Sequence, residues 1–192
     1  EFTRAYSMAN TPNWDGVLEF YIRLQPEGKF SGWLHSAKAG DRLQVRGPSG
    51  AFTLKEESLS PRYFVAGGSG LAPILSMLRW MGEMQALQPA RLYFGVNSES
   101  ELFARDEIEE LKGLLPGFEA EVCVWHPEGQ WPGFTGTPVD ALKPDLARAL
   151  EQGKTPEIYI CGPPALVEAT EAAGRALGIE GEHIHSERFL PA

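Results

Sequence analysis

The stretch "PRYFVAGGSGLAP", residues 61–73, decides how the rest of the chain is read. Tyr63 to Ala66 form a compact apolar run, the pattern of a strand buried on both faces. Gly67, Gly68 and Gly70 follow at once. Pro73 then stands in what would be the first turn of a helix, where its missing N–H costs nothing. A strand, a glycine-rich turn and a helix start set unpaired N–H groups and a positive dipole end at a strand tip, which suits a phosphate. The spacing is not the dinucleotide fingerprint G-x-G-x-x-G, because the third glycine position, counted from Gly68 and Gly70, holds Pro73. Two readings stay open for the turn alone: a pyrophosphate cradle and a plain tight connection.

Downstream, strands and helices alternate. "APILSMLRWMGEMQAL" (72–87) puts Ile74, Met77, Leu78, Met81 and Met84 on one helical face. "RLYFGV" (91–96), "EAEVCVWH" (119–126), "EIYIC" (157–161) and "HIHSERF" (183–189) read as strands, and 104–115, 139–150 and 164–178 as amphipathic helices between them. Apolar strands separated by such helices predict an open α/β parallel sheet covered on both faces. Upstream the grammar differs. "GVLEFYIRL" (16–24) alternates around Leu18, Phe20 and Ile22, "DRLQVRG" (41–47) alternates again, and "GPSGAFTL" (47–54) has a turn before a further strand. A short helix is expected over 30–38, with Ser31 as its N-cap. The boundary falls near residues 56–62, giving an antiparallel β unit over 1–58 and the α/β unit over 59–192.

The net charge of −9 is unevenly placed. Residues 1–60 carry seven basic and seven acidic side chains; residues 61–192 carry ten and nineteen, so the excess lies wholly in the second half. An acidic second half argues against a nucleic-acid partner, which wants a basic face. No apolar run reaches the length of a membrane span, and no basic start with an apolar h-region is present. Two cysteines, Cys123 and Cys161, are too few for a disulfide framework or a four-cysteine metal site, and a reducing cytoplasm fits them.

Ligands of open α/β sheets bind beyond the carboxyl ends of the strands. Three further strand ends carry unusual residues. Cys161, Gly162 and Pro163 close "YIC" before a helix; a small buried thiol at that place is the bland alternative. Asn97, Ser98 and Glu99 end another strand, where they would meet a ribose or simply cap the next helix. His183, His185 and Glu187 alternate, a set of metal-ligand types on one strand face, although a single strand rarely supplies a whole site. Phe189 shares that face, pairing an aromatic ring with a carboxylate.

"RAYS" (4–7), "EGKFSGWL" (27–34), "GPSGAF" (47–52), "AGGSGLAP" (66–73), "LYFGV" (92–96), "YICGPP" (159–164) and "ERF" (187–189) stand in the order found in the ferredoxin–NADP reductase superfamily. Singly these motifs are weak; seven in order make a whole-chain resemblance, which "FLP" (189–191) extends. Within the superfamily the wording is similar to reductases of methane monooxygenase-type systems, with phenol and alkene hydroxylase reductases as neighbours. The resemblance implies a flavin-binding antiparallel β-barrel followed by a nucleotide-binding α/β domain. It also implies that the chain is a piece of a longer reductase, lacking the first barrel strands and a ferredoxin domain that would hold a 2Fe–2S cluster.

Roles follow from the resemblance. Arg4 would pair with the FAD pyrophosphate, Tyr6 lie against the isoalloxazine and Ser7 hydrogen-bond flavin N5. Ile22, Arg23 and the segment Gly28, Lys29, Phe30 and Ser31 would complete the FAD site. Gly67, Gly68, Ser69 and Gly70 would cradle the pyridine dinucleotide, with Asn97 near it. Cys161, Gly162 and Pro163 would lie beside the nicotinamide, and Glu187 and Phe189 would complete the catalytic site with Ser7. Around Asn97 the chain offers Glu99 and Glu101 and no cation before Arg105, so NADH is expected rather than NADPH. The implied reaction takes electrons from NADH through FAD to an iron–sulfur centre and on to the hydroxylase component of a di-iron monooxygenase. The rivals are a reductase of a Rieske-type aromatic dioxygenase and a non-catalytic nucleotide-binding remnant.

Overall fold

The structure, a computed structural model, describes residues 3–189. The "LP" of the terminal motif therefore lies outside the described residues. Six strands, β1 (Arg62–Gly67), β2 (Ala90–Val96), β3 (Glu119–Val124), β4 (Phe134–Thr135), β5 (Glu157–Gly162) and β6 (Ile184–Arg188), form one sheet in the order β4-β3-β2-β1-β5-β6. Every pairing is parallel. Four helices connect them: α2 (Leu71–Glu83), α3 (Arg105–Leu114), α4 (Pro138–Glu151) and α5 (Pro164–Ala176); α1 (Lys29–Ser36) precedes the sheet. The two-residue β4 has no legible strand pattern in the sequence.

Helices cover both faces, as the continuous apolar strands require. Phe64, Ala66, Phe94, Tyr159 and Cys161 join Leu71, Ile74, Leu75 and Leu78 of α2 and Ile108 and Leu111 of α3 on one side. Tyr63, Val65, Tyr93, Ile158 and Ile160 meet Leu142 and Leu146 of α4 and Val167 of α5 on the other. Each fully buried leucine, isoleucine, valine or phenylalanine among them stabilises the fold by about 1.5–3 kcal/mol. Met84 departs from the expected helical face. It follows the last turn of α2 as the C-cap and is exposed, because the helix has already ended at Glu83.

Residues 3–61 hold α1 and one isolated antiparallel bridge, Met8 with Phe20; the predicted strands over 16–24, 41–47 and 47–54 form no ladder among the described residues. Alternation marks which side of an extended segment can be buried, but a ladder needs a neighbour to take its N–H and C=O groups. Leu18, Leu24, Leu43 and Val45, apolar members of that alternation, are accordingly exposed. Tyr21, Phe52 and Leu54 instead pack against the α2 side of the sheet. Ser31 is also not the cap: Gly28 occupies that position, and Ser31 Oγ, three residues into α1, accepts from the Gln25 N–H at 2.9 Å.

At the amino edge of the sheet a buried polar cluster fastens the segment between the two halves. Arg62, 2% exposed, donates from Nη2 to the carbonyls of Lys55, Glu56 and Ser58. Glu157, its neighbour across β1 and β5, accepts from Ser58 Oγ at 2.9 Å. His183 Nδ1 and His185 Nε2 stand 3.1 and 2.8 Å from the same carboxylate. An ionised carboxylate only accepts, so both facing ring nitrogens carry the proton. Burial opposes the charge of Glu157, but the hydrogen bonds from His185, Ser58 and His183 outweigh it and hold its carboxyl below the usual range. A depressed folded-state pKa lends stability that is full above the ordinary glutamate pKa of about 4.3 and is lost as the pH falls through the lowered value. Glu157→Gln is therefore expected to cost about 1–3 kcal/mol at neutral pH and less in acid. Urea midpoints at pH values above and below the glutamate range check this; an equal loss at both would place the acid sensitivity elsewhere.

Candidate active site

The carboxyl edge of the sheet gathers the candidate residues. In register, Ala66 of β1 lies beside Cys161 of β5, and Cys161 beside Glu187 of β6. The turn Gly68–Gly70 continues β1 as a short 3-10 segment into α2. Gly70 is pressed against the end of β5: a Cβ there would collide with the Cys161 carbonyl and come within 2.9 Å of the Gly162 Cα. Gly162 has φ +156 and faces Gly67 backbone to backbone, 3.1 Å from a virtual Cβ to the Gly67 nitrogen. Glycine at these positions lets two strand tips and a helix start share one small space. Neither α1, α2 nor α5 has a side-chain cap at its N-terminus. The Leu71 N–H at the start of α2 bonds to the Gly68 and Ser69 carbonyls and α5 opens on Pro164, which has no N–H, so of the three it is α1 that presents uncapped N–H groups.

The amino-terminal half supplies the opposite wall. Ser7 Oγ donates to Glu187 Oε2 at 2.8 Å, across 180 residues of sequence. Cys161 Sγ is 3.9 Å from the same oxygen. Burial pushes the Cys161 thiol up strongly, and the Glu187 charge adds to this, so the group is a neutral thiol and not a nucleophile. Cys123, also buried, is pushed up to about 12. The Phe189 N–H donates to the Gly162 carbonyl at 2.9 Å, which fixes the chain just past β6. Tyr6 stands with its ring 5.4 Å from that of Phe30, which stacks at 5.6 Å on Trp33. Ser7, Cys161, Gly162, Glu187 and Phe189 are thus brought together, and no local signal in the sequence pairs Ser7 with Glu187.

Other candidates lie apart from this group. Arg4 is exposed, with Nη1 donating to the Thr3 carbonyl at 3.0 Å. Gly28, Lys29 and Phe30 open α1, and Pro163 precedes α5. Ile22 is half-buried. Arg23 reaches across to Glu101 at 2.7 Å. The segment after β2 is therefore not without a cation: one comes from the other half of the chain, a contact that sequence proximity cannot reveal. Asn97 donates through its N–H and Nδ2 to Glu101 Oε2 at 3.1 and 3.0 Å, so it neither caps α3 nor stands free. Burial works against the Glu101 charge, but the Asn97 N–H and Arg23 win and hold its carboxyl below the usual range. Glu99 accepts from the Glu128 N–H at 3.0 Å.

The metal reading of the last strand separates into two unrelated sets. His183 sits in the 3-10 turn before β6 and joins His185 on Glu157, whereas Glu187 belongs to Ser7 and Cys161. Among the described residues no group of three or more His, Cys, Asp or Glu is placed to hold a metal ion. Nor is any described helix long and apolar enough to cross a membrane.

A six-stranded parallel sheet with a glycine turn at its switch point, joined to a half that brings a serine to its carboxyl edge, defines a two-part dinucleotide-dependent oxidoreductase. Residues 64–172 match the oxidoreductase NAD-binding domain, and the chain belongs to that family, within the ferredoxin–NADP reductase superfamily. Residues 1–54 match the oxidoreductase FAD-binding domain. The chain is 39% identical over 168 residues to the propane 2-monooxygenase reductase component of Mycolicibacterium goodii, covering 86% of this chain and 48% of the relative. It is 43% identical over 144 residues to methane monooxygenase component C of Methylosinus trichosporium, covering 74% of this chain and 42% of the relative. The solved Amycolatopsis cytochrome P450 reductase GcoB superposes with a TM-score of 0.86 at 32% identity, covering 97% of this chain and 56% of that one. The chain thus spans about half the length of the relatives it matches.

Proposed function

We propose that the chain is the flavin- and NADH-binding part of an oxygenase reductase, with residues 1–58 serving FAD and residues 59–192 serving the nicotinamide nucleotide. The observation that carries the reading is the Ser7–Glu187 contact, which closes the nucleotide sheet's carboxyl edge with a residue of the FAD-binding half. The residues suit both groups. The uncapped N-terminus of α1 and the glycine turn that leads into α2 suit phosphates, and the backbone approach at Gly70 and Gly162 leaves a strand edge without side-chain bulk. Bound FAD and NADH would supply the redox chemistry, turning a two-electron donor into one-electron steps towards an iron–sulfur acceptor.

The chain's own contribution is positional. Tyr6 and Phe189 offer aromatic faces to flat rings, and Ser7 and Glu187 fix their polar edges between them. Arg4, Ile22, Arg23 and the Gly28–Ser31 segment line the flavin side; Gly67–Gly70, Asn97 and Cys161–Pro163 line the nucleotide side. The iron–sulfur partner is a ferredoxin domain of the longer protein, and the terminal acceptor is an oxygenase of the di-iron monooxygenase type. Two buried thiols that form no disulfide support a cytoplasmic location. The relatives serve differently named systems, a propane 2-monooxygenase and a cytochrome P450 among them, so the acceptor is specified outside this half.

NADH is the preferred donor. Arg23 neutralises Glu101, whereas Glu99 pairs with no cation among the described residues, accepts instead from the Glu128 N–H, and would oppose a 2′-phosphate at the end of β2. Anaerobic titration of the FAD-supplied chain, followed by flavin absorbance, tests this. Bleaching by NADH is expected, with NADPH weaker by about tenfold or more. FAD that binds and is bleached by neither donor would overturn the assignment.

A further inference from the structure

One face of α2 lies outside both the core and the glycine turn. Ser76, Arg79 and Glu83 follow one another at spacings that place them on a single helix face. All three bond to the amino-terminal half just after Ser7. Ser76 Oγ donates to the Asn10 carbonyl at 2.8 Å. Arg79 Nη1 donates to the Ala9 carbonyl and to Glu19 Oε1, both at 2.9 Å. Glu83 Oε1 accepts from Thr11 Oγ1 at 2.7 Å.

The segment they hold is itself tied together. The Ala9 N–H donates to the Glu19 carbonyl at 2.8 Å, the Glu19 N–H donates to Asn10 Oδ1 at 2.9 Å, and Met8 bridges Phe20. Ala9 is fully buried although residues 3–6 beside it are exposed. This is the one piece of antiparallel pairing among the described residues, and it begins at Met8, the residue after Ser7. The other end of α2 is Gly70, about 14 Å of helix away from Arg79.

We propose that this face of α2 is a strut, with Arg79 as its main positioning residue, that holds Ser7 against Glu187 in register with the Gly67–Gly70 turn. The role in the reaction rests on the function proposed above; the mechanical role does not. A guanidinium is suited to it, because the two N–H groups of its planar Nη1 point at a fixed angle, one to a backbone carbonyl and one to a carboxylate, whereas an ammonium is a point charge on a flexible stem. A helix transmits placement along its axis without bending, so the turn that receives one cofactor and the serine that faces the other are joined by one rigid element.

The test compares Arg79→Ala and Arg79→Lys with the unchanged chain in two ways. Amide hydrogen exchange without any cofactor reads the strut alone. Arg79→Ala is expected to speed exchange at Ala9 and Glu19 roughly tenfold while leaving Phe64 and Phe94 of the sheet nearly unchanged, and Arg79→Lys is expected to recover part of the protection. With FAD supplied, rapid mixing with saturating NADH is expected to show flavin reduction slowed about tenfold in Arg79→Ala, with little change in the half-saturating NADH concentration. Unchanged exchange at Ala9 and Glu19 overturns the strut, and so does loosening of the sheet amides to the same degree, which marks a plain packing contact. A loosened hairpin with an undiminished reduction rate overturns its role in positioning Ser7. An unchanged chain that NADH fails to reduce counts against the proposed function, and exchange alone then decides the strut.

Discussion

Gly70→Ala is expected to destabilise the α/β half by about 3 kcal/mol or more, a large fraction of the total stability of an ordinary domain. The added methyl meets the Cys161 carbonyl and the Gly162 Cα, which are backbone atoms of β5, a strand paired on both sides, and cannot rotate away. Relief requires moving the start of α2 off the sheet, and α2 carries Leu71, Ile74, Leu75 and Leu78 into the core. Gly68→Ala is the control. Gly68 lies two residues earlier at φ +53 with nothing within 4 Å of a virtual Cβ, so its cost is left-handed backbone strain of about 1–2 kcal/mol. Urea midpoints should therefore rank the unchanged chain above Gly68→Ala and Gly68→Ala above Gly70→Ala. Equal midpoints for the two variants would mean that close approach is not what Gly70 serves.

That difference between neighbouring glycines was not legible in the sequence, although the turn was. The run from Tyr63 to Pro73 announces strand, turn and helix because each rests on local chemistry: apolar continuity, absence of Cβ, and a proline placed where no N–H is needed. The same holds for β2, β3, β5, β6 and the helices between them. Local chemistry fails where a partner is remote. The alternation of 16–24 predicts a strand, and the residues stay unladdered because pairing depends on neighbours that alternation does not name. Ser31 has the right residue type for a cap, but Gly28 turns the chain into α1 three residues sooner. His183 and His185 share a target, Glu157, that lies on another strand. At the site, residue types at the strand tips were readable from glycine, cysteine and proline after apolar runs. The contacts that join the halves, Ser7 with Glu187 and Arg23 with Glu101, were not.

Ser7→Ala is expected to slow flavin reduction by NADH about 100-fold, with the half-saturating NADH concentration nearly unchanged, since small displacements of a reacting pair carry penalties of that order. Ser7 Oγ is the hydroxyl donor to Glu187 Oε2, and a hydrogen bond to a charged group is worth about 1.5–3 kcal/mol. Without it the carboxylate keeps, among the described residues, the long contact from the Cys161 thiol, a weak donor, and is released from the edge that Phe189 and Gly162 define. Glu187→Gln keeps the shape and an acceptor oxygen for Ser7, so it should lose less than Ser7→Ala. The pair should also behave as one unit. If the serine acts by holding the glutamate, the double variant is scarcely slower than the worse single one, because the second change removes what the first has already disconnected. A double variant whose loss equals the product of the single losses would mean that the two side chains act independently, and the 2.8 Å contact would then be a consequence of the two halves meeting rather than the means of placing them.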